Sequence, residues 1–289
     1  MKATRIFLSA IIALAAQIAA AQQFTIKTTK VSLPLVEQWI KAYTAIHPEV
    51  SIATTNDASK ATLCVMCSNS EQPGMTSVGR LAVLPVTTTE NPLIDDLQKK
   101  GLGVKDLKRL FFDVDNLADD EEEYISKKSQ RLREQLTVYS GSIATSVSAA
   151  FAEHFGLQRG DIRGKKIAGD DLYLLSAIAE DKSGITFNSL AYLFDLNSRH
   201  LKQGLVILPL DIKKEQATAL LSGSLDDAIG ILETQSVGLI PIENVGLAYT
   251  GSDAAVRQFL AWVTTEGQAY NHQNGFLTAD NHDTLLANK

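Results

Sequence analysis

The stretch VYSGSIATSVSAAFAEHFG, Val138 to Gly156, sets Ser140, Gly141, Ser142, Thr145 and Ser146 ahead of an apolar helix face. Short hydroxyl side chains beside a glycine let a guest approach the unpaired N–H groups of a helix start, where the peptide dipoles favour negative charge. The same residue types are the commonest helix N-caps. Two chemistries are therefore on offer: a cradle of backbone donors for a small anion, or a capped helix with no guest. The serines of YSGSIA also admit a serine-dependent hydrolase, although the sequence assigns them no base.

The remaining reactive residues form no catalytic set. His47, His154, His200, His272 and His282 are scattered without metal-ligand spacing, and neither a Gly-x-Ser-x-Gly elbow nor a Walker loop occurs. NHQNGF and DNHD near the end read as polar turns. Cys64 and Cys67 have a redox or half-zinc spacing, yet no second pair and no suitably spaced His completes a metal site. Their setting, ATLCVMCS, reads as a buried strand that sends the two thiols to opposite faces. A disulfide between them would need a tight turn there. No cofactor is implied, and the expectation is a binding protein rather than an enzyme.

The compartment is written in the first residues, MKATRIFLSAIIALAAQIAAAQQ. Lys2 and Arg5 precede an apolar core from Ile6 to Ile18, and Ala19, Ala20 and Ala21 supply a small-residue cleavage site, so residues 1–21 read as a secretory signal. No later run approaches the roughly eighteen apolar residues of a membrane span. Removing Lys2 and Arg5 takes the formal net charge from −6 to −8, an acidic balance that argues against nucleic acid as a partner. The mature protein is expected in the periplasm, as a soluble monomer.

Elements alternate along the mature chain. QFTIKT, VSIATT, ATLCVM and RLAVLPVTT read as strands, and PLVEQWIKAYTAIHP places Val36, Trp39, Ile40 and Tyr43 on one helical face between Pro34 and Pro48. GVKDLKRLFF reads as a short helix. LADDEEEYISKKSQRLREQL, over 118–136, has the charge order of a solvated helix, acids first and bases later. LTVYS, GLVILPLDI and VGLIPI read as strands; SVSAAFAEHFG, DDLYLLSAIAEDK and DAAVRQFLAWVTTEGQAYN read as helices. This rhythm predicts an α/β fold with a largely parallel sheet, in two domains joined by crossing strands.

Three segments together resemble the phosphate-type periplasmic binding proteins, the substrate-binding subunits of ABC transporters. They are TTKVSLPLVEQWIKAYTAIHPEVSI at the start, the Ser-Gly stretch with Phe151 in its helix, and the closing VRQFLAWVTTEGQAYNHQNGFLTAD. RLAVLPVTTTENPL, GVKDLKRLF and SGITFNSLAYL match the crossing strand, a helix of the second lobe and the return segment. The resemblance implies a two-lobed α/β fold, each lobe a mixed, mostly parallel sheet flanked by helices, with two hinge crossings. It implies residues 22–86 plus 188–289 as lobe one and 87–187 as lobe two. The function implied is capture of a small anion between the lobes, phosphate or another oxyanion or carboxylate, for delivery to a membrane permease. A sensor or scaffold on the same fold, with no transport ligand, is the alternative.

The resemblance also nominates residues. Thr28 and Thr29 stand at a Gly-Ser position of the family. Lys30 and Val31, followed by Ser32, stand where two loop residues touch phosphate. Ser140, Gly141 and Ser142, or in another register Thr145, Ser146 and Val147, stand at its Ser-Gly-Thr loop. The ligand set implied is Thr29, Lys30, Val31, Ser32, Ser140, Gly141, Ser142 and Thr145. The chain also departs from the pattern. The Gly-Ser-Gly helix start is missing from TTNDASKATL, Thr62 stands in place of an Asp, and Val138 and Tyr139 stand in place of an Arg. With that acceptor and that bidentate donor gone, weaker phosphate binding or a different ligand is expected, with Asn56, Ser59 or Arg80 as substitutes.

Overall fold

The structure, a computed structural model, describes residues 22–68, 73–113, 127–143 and 146–279. The expected signal segment, Thr145 and residues 118–126 of the charged stretch lie outside them.

The chain opens with β1 (Gln22–Lys27), whose alternate residues Phe24 and Ile26 are buried, the pattern of a strand with one face on the core. Pro34 sits in the first turn of α1 (Leu33–Ile46), where its missing N–H would be unpaired anyway. Leu35, Val36, Trp39 and Tyr43 form the buried stripe of that helix. Then come β2 (Val50–Thr55), β3 (Leu63–Ser68) and the fourteen-residue β4 (Met75–Thr88). The middle of the chain supplies α2 (Ile94–Gln98), α3 (Val104–Phe111), α4 (Lys127–Gln135), β5 (Thr137–Gly141), α5 (Val147–His154), β6 (Lys165–Ile167) and α6 (Leu172–Glu180). It closes with β7 (Gly184–Ser189), α7 (Leu190–Leu193), β8 (Leu205–Ile207), α8 (Lys214–Leu221), α9 (Leu225–Thr234), β9 (Ile242–Ala248) and α10 (Ala254–Val263).

The strands are hydrogen-bonded in the order β2-β1-β3-β9-β4-β7-β5-β6, with β8 also on β4. Two parallel groups form its ends, β2, β1 and β3 on one side and β7, β5 and β6 on the other. The antiparallel pairs all involve β4 or β9. β4 joins the groups: Met75–Ala82 pairs with β9, and Val83–Thr87 pairs with β7. Residues 81–86 of β4 are all buried, which suits a strand covered on both faces.

Each group has its own aromatic packing. Trp39 donates its indole N–H to the Gly267 carbonyl at 2.9 Å, and Tyr43 meets Phe259 edge-on at 5.2 Å, so the opening and closing segments pack as one unit. In the middle of the chain, Phe151 stacks on Phe187 at 4.0 Å and meets Phe111 edge-on at 5.0 Å.

Two of the expected strands are corrected by the structure: one is shorter than its apolar run, and the other is a turn in all but its last residue. Val237–Pro241 of VGLIPI is a turn, and β9 starts only at Ile242, after Pro241, which has no N–H for the ladder. GLVILPLDI pairs only over Leu205–Ile207. Beyond it Leu208 donates to the Pro85 carbonyl and Pro209 accepts from the Leu102 N–H. The segment after β7 thus leans on the far end of β4 before α8 and α9 carry the chain back to β9.

Candidate functional site

Between the two strand groups lies a cleft of about 370 Å³. One wall is the loop Thr29–Val31, between β1 and α1. The other comes from Ile143, Val147 and the segment Gly169–Tyr173 at the start of α6. Its floor is made by strand ends and their neighbours, notably Cys67 on β3, Ser189 at the end of β7 and Glu243 on β9.

The first wall is shaped by two hydroxyls. Thr29 Oγ1 and Ser32 Oγ lie 2.9 Å apart. The Thr29 N–H donates to Ser32 Oγ, and the Ser32 N–H donates to Thr29 Oγ1. Leu33 closes the turn on the Thr29 carbonyl at 3.0 Å. This reciprocal turn occupies both hydroxyls, and Ser32 is buried beneath the loop, outside the cleft lining. The N–H groups of Lys30 and Val31 have no hydrogen-bond partner among the described residues. The Lys30 ammonium reaches across to the ring of Tyr173 on the opposite wall, 5.2 Å from its centroid, a cation–π contact that spans the opening.

The Ser-Gly stretch is built differently. Ser140 is fully buried and its Oγ accepts from Lys166 Nζ at 3.1 Å. The Gly141 N–H donates to Ser148 Oγ at 2.7 Å, and the Ser142 N–H donates to the Ile167 carbonyl at 2.9 Å. None of these three residues lines the cleft. Ser146 caps α5 by accepting the Ser148 N–H at 3.1 Å. The Val147 N–H goes to Asp171 Oδ2 at 3.0 Å. A carboxylate of the chain therefore occupies the donor at which a bound anion would sit. Gly141 leaves room for it, since a Cβ at that position would lie 2.6 Å from Ser146 Oγ and 3.2 Å from Asp171 Oδ1. The helix start is capped from within.

The electrostatics follow from these placements. Burial pushes the Asp171 carboxyl up to about 6, against the pull of the Val147 N–H. Burial, with Glu153 and Asp171 nearby, pushes Glu243 up to about 7. The Cys67 thiol is driven up to about 12 by burial and then by Glu243 and Asp171, so it stays protonated. The Tyr192 hydroxyl is raised too, by burial and then by Asp170. Of the charged groups lining the cleft, Asp170, Asp171 and Glu243 are acids and Lys30 is the cation. Arg80 is held elsewhere, donating to the Thr278 carbonyl at 2.9 Å. Ser59 closes an exposed turn on Asp57, and Asn56, Ser59 and Arg80 are all absent from the cleft lining.

No family model and no curated protein matches the chain. Solved structures do. A Clostridium perfringens protein described as a phosphate ABC transporter substrate-binding protein, with bound phosphate, superposes with a TM-score of 0.59 at 11% identity, over 90% of this chain and 100% of its own. An ABC-type phosphate transport receptor from Vibrio cholerae gives 0.55 at 10% identity, over 88% and 99%. The fold is that of the periplasmic binding proteins. An OxyR2 regulatory domain variant from Vibrio vulnificus shares it, with a TM-score of 0.51 at 14% identity over 87% and 99%. A periplasmic-binding-protein fold thus serves both receptors and regulatory domains, and the likeness carries the architecture without the ligand.

On this fold the sequence nominated Thr29, Lys30 and Val31, which do line the cleft. It did not nominate Asp171, Ser189 or Glu243. Glu243 was legible as an acid inside an apolar run, PIENVGLA, and Asp170 and Asp171 as the acids opening DDLYLLSAIAEDK. Nothing in the sequence showed that the two segments meet.

Proposed function

We propose that this chain is an extracytoplasmic solute-binding protein. It takes a small ligand into the cleft between its two halves and delivers it to a membrane permease. The observation that carries this reading is the cleft itself: walls from distant segments, bridged at the opening by Lys30 and Tyr173. Its size is that of small-molecule sites. The Lys30 ammonium and the free N–H groups of Lys30 and Val31 suit a carboxylate or other oxyanion at the first wall. Ser140, Gly141 and Ser142 belong to this proposal as supports of the second wall, and Thr145 remains a proposed ligand residue outside the described ones.

Residues 22–86 with 188–289 are proposed as one lobe and 87–187 as the other, moving as a hinge. A signal peptide over residues 1–21, a periplasmic location and a monomeric state complete the proposal. No helix among the described residues is long and apolar enough to cross a membrane.

The sensor reading keeps the fold and drops the transporter, as the OxyR2 likeness allows. The hydrolase reading is disfavoured by Ser140. Its hydroxyl meets the Lys166 ammonium, but it is fully buried, and Lys166 also donates to the Arg159 and Ile162 carbonyls. A survey of thermal stability against small oxyanions, carboxylates and amino acids tests the proposal. Stabilisation that disappears in Lys30→Ala supports it; hydrolysis of activated esters that vanishes in Ser142→Ala overturns it.

A further inference from the structure

Glu243 is buried on β9, and its carboxylate has neither a hydrogen bond nor an ion pair among the described residues. Ser189 is fully buried, and its Oγ has no hydrogen-bond partner among them. Asp171 uses Oδ2 on the Val147 N–H and leaves Oδ1 buried and unpartnered. All three residues line the one cleft. An unpaired buried carboxylate is costly, and a fold gains nothing from retaining one as packing when an apolar residue of similar size would serve. Acceptors left open along one cavity are explained by a donor that arrives from outside.

The chemistry of that donor is limited. Among the described residues no three or more His, Cys, Asp and Glu side chains are grouped as a metal site. A dianion such as phosphate would meet Glu243 at the floor and Asp171 on the second wall, with the single ammonium of Lys30 to offset them. An ammonium group carries three donors and a positive charge, which matches two carboxylates and a hydroxyl. The first wall offers the opposite chemistry, the Lys30 ammonium and the free N–H groups of Lys30 and Val31. The cleft thus offers both donors, from Lys30 and Val31, and open acceptors, from Glu243, Asp171 and Ser189.

We infer that the ligand is a small zwitterion, with its carboxylate at the Lys30–Val31 loop and its ammonium against Glu243, Asp171 and Ser189. This inference rests on the solute-binding reading proposed above and narrows it to amino-acid-like compounds. It also carries a proton signature. The groups facing Glu243 and Asp171 are Cys67 from β3, Asp170 and Tyr173 from the start of α6, Tyr192 from α7, Glu153 from α5, and Lys30 across the cleft. In the empty cleft Glu243, raised to about 7, shares its proton with solvent at neutrality, and Asp171, raised to about 6, takes one up only in more acidic solution. A bound ammonium favours their ionised forms, so binding releases protons and tightens as pH rises through 6 to 7.

The test is calorimetry on the mature protein with a series of ω-amino acids from glycine to 6-aminohexanoate. Each is set beside the matched carboxylate and the matched amine, and inorganic phosphate is included. At least one amino acid is expected to bind about ten- to a hundredfold tighter than either single-charge analogue, and to lose a similar factor in Glu243→Gln. Titration of the unaltered protein in buffers of different ionisation enthalpy is expected to show proton release, which keeps the test independent of how the variant folds. Phosphate or a simple carboxylate binding tightest, with proton uptake and no response to Glu243→Gln, overturns the zwitterion and leaves a solute-binding protein for anions. Tightest binding of a simple amine, indifferent to Lys30→Ala, overturns it as well. If no compound in the series binds, the inference fails, while Lys30-dependent stabilisation by other compounds in the wider survey still decides the parent reading.

Discussion

Replacing Glu243 with Gln removes the charge while keeping size and shape, and the burial of that residue fixes the consequence for folding. The carboxyl is raised from its ordinary 4.5 to about 7 in the folded protein. Its folded form therefore holds a proton more tightly than its unfolded form. The group is neutral and harmless to stability below about pH 4.5, and it weakens the fold progressively as pH rises towards 7. Each tenfold change in proton affinity is worth about 1.4 kcal/mol, so Glu243 alone removes about 3 kcal/mol between about pH 4.5 and about pH 8. Asp171, raised by burial, acts in the same direction. Carboxylates held low by hydrogen bonds, such as Asp195 and Asp226, act oppositely and only in more acidic solution, as they protonate. Urea unfolding followed by circular dichroism, on both proteins at both pH values, isolates the Glu243 contribution as a double difference. The variant is expected to gain about 3 kcal/mol on the unaltered protein as pH rises over that interval. A stability gap that stays constant with pH, or that widens in favour of Glu243, refutes the account of an unpaired buried carboxylate.

Other outcomes follow from the same geometry. Lys30→Ala should weaken ligand binding by roughly 1–3 kcal/mol, the range for a charge-assisted hydrogen bond, and Ser142→Ala should cost less, both read by calorimetry. Equal losses would mean that the first wall holds no charge contact. Gly141→Ala drives a Cβ to within 2.6 Å of Ser146 Oγ and should destabilise the protein by about 1–3 kcal/mol in urea. An unchanged midpoint would show that the cap has slack. Cys67, half-buried with its thiol pushed up to about 12, should react with iodoacetamide at neutral pH only after unfolding, which mass spectrometry resolves. Rapid labelling of native Cys67 would contradict its protonated setting.

The sequence was most readable where a single element carries its own signal. Pro34 and the stripe from Val36 to Tyr43 announce α1, and the unbroken apolar run from Leu81 announces β4. The closing helix was legible from FLAWV, and Trp39 ties it to the opening one through Gly267. Loop residues next to a helix start, Thr29 to Val31, were legible by resemblance because chain order alone places them. The meeting of the cleft's acids was not. Asp171 looks like an ordinary helix-start acid until Gly141 and Val147 are seen to receive it, and Glu243 looks like a stray charge within a strand. Their meeting depends on β9 inserting between β3 and β4, a pairing of segments well over a hundred residues apart. Local periodicity holds no information about such a contact. The hydroxyls of Ser140 and Ser146 mislead for a related reason: caps and cradles use the same residue types, and only the position of Asp171 separates them.

In the function proposed above, two walls from opposite halves close on one ligand. Hydrogen-exchange mass spectrometry tests it most directly, on the mature protein with and without the best stabilising compound from the thermal survey. The account predicts slowed exchange in the Lys27–Ser32 loop and, at the same ligand concentrations, in the segment from Gly169 to Tyr173. Protection confined to one wall, or absent from both while the compound still stabilises the protein, would contradict it.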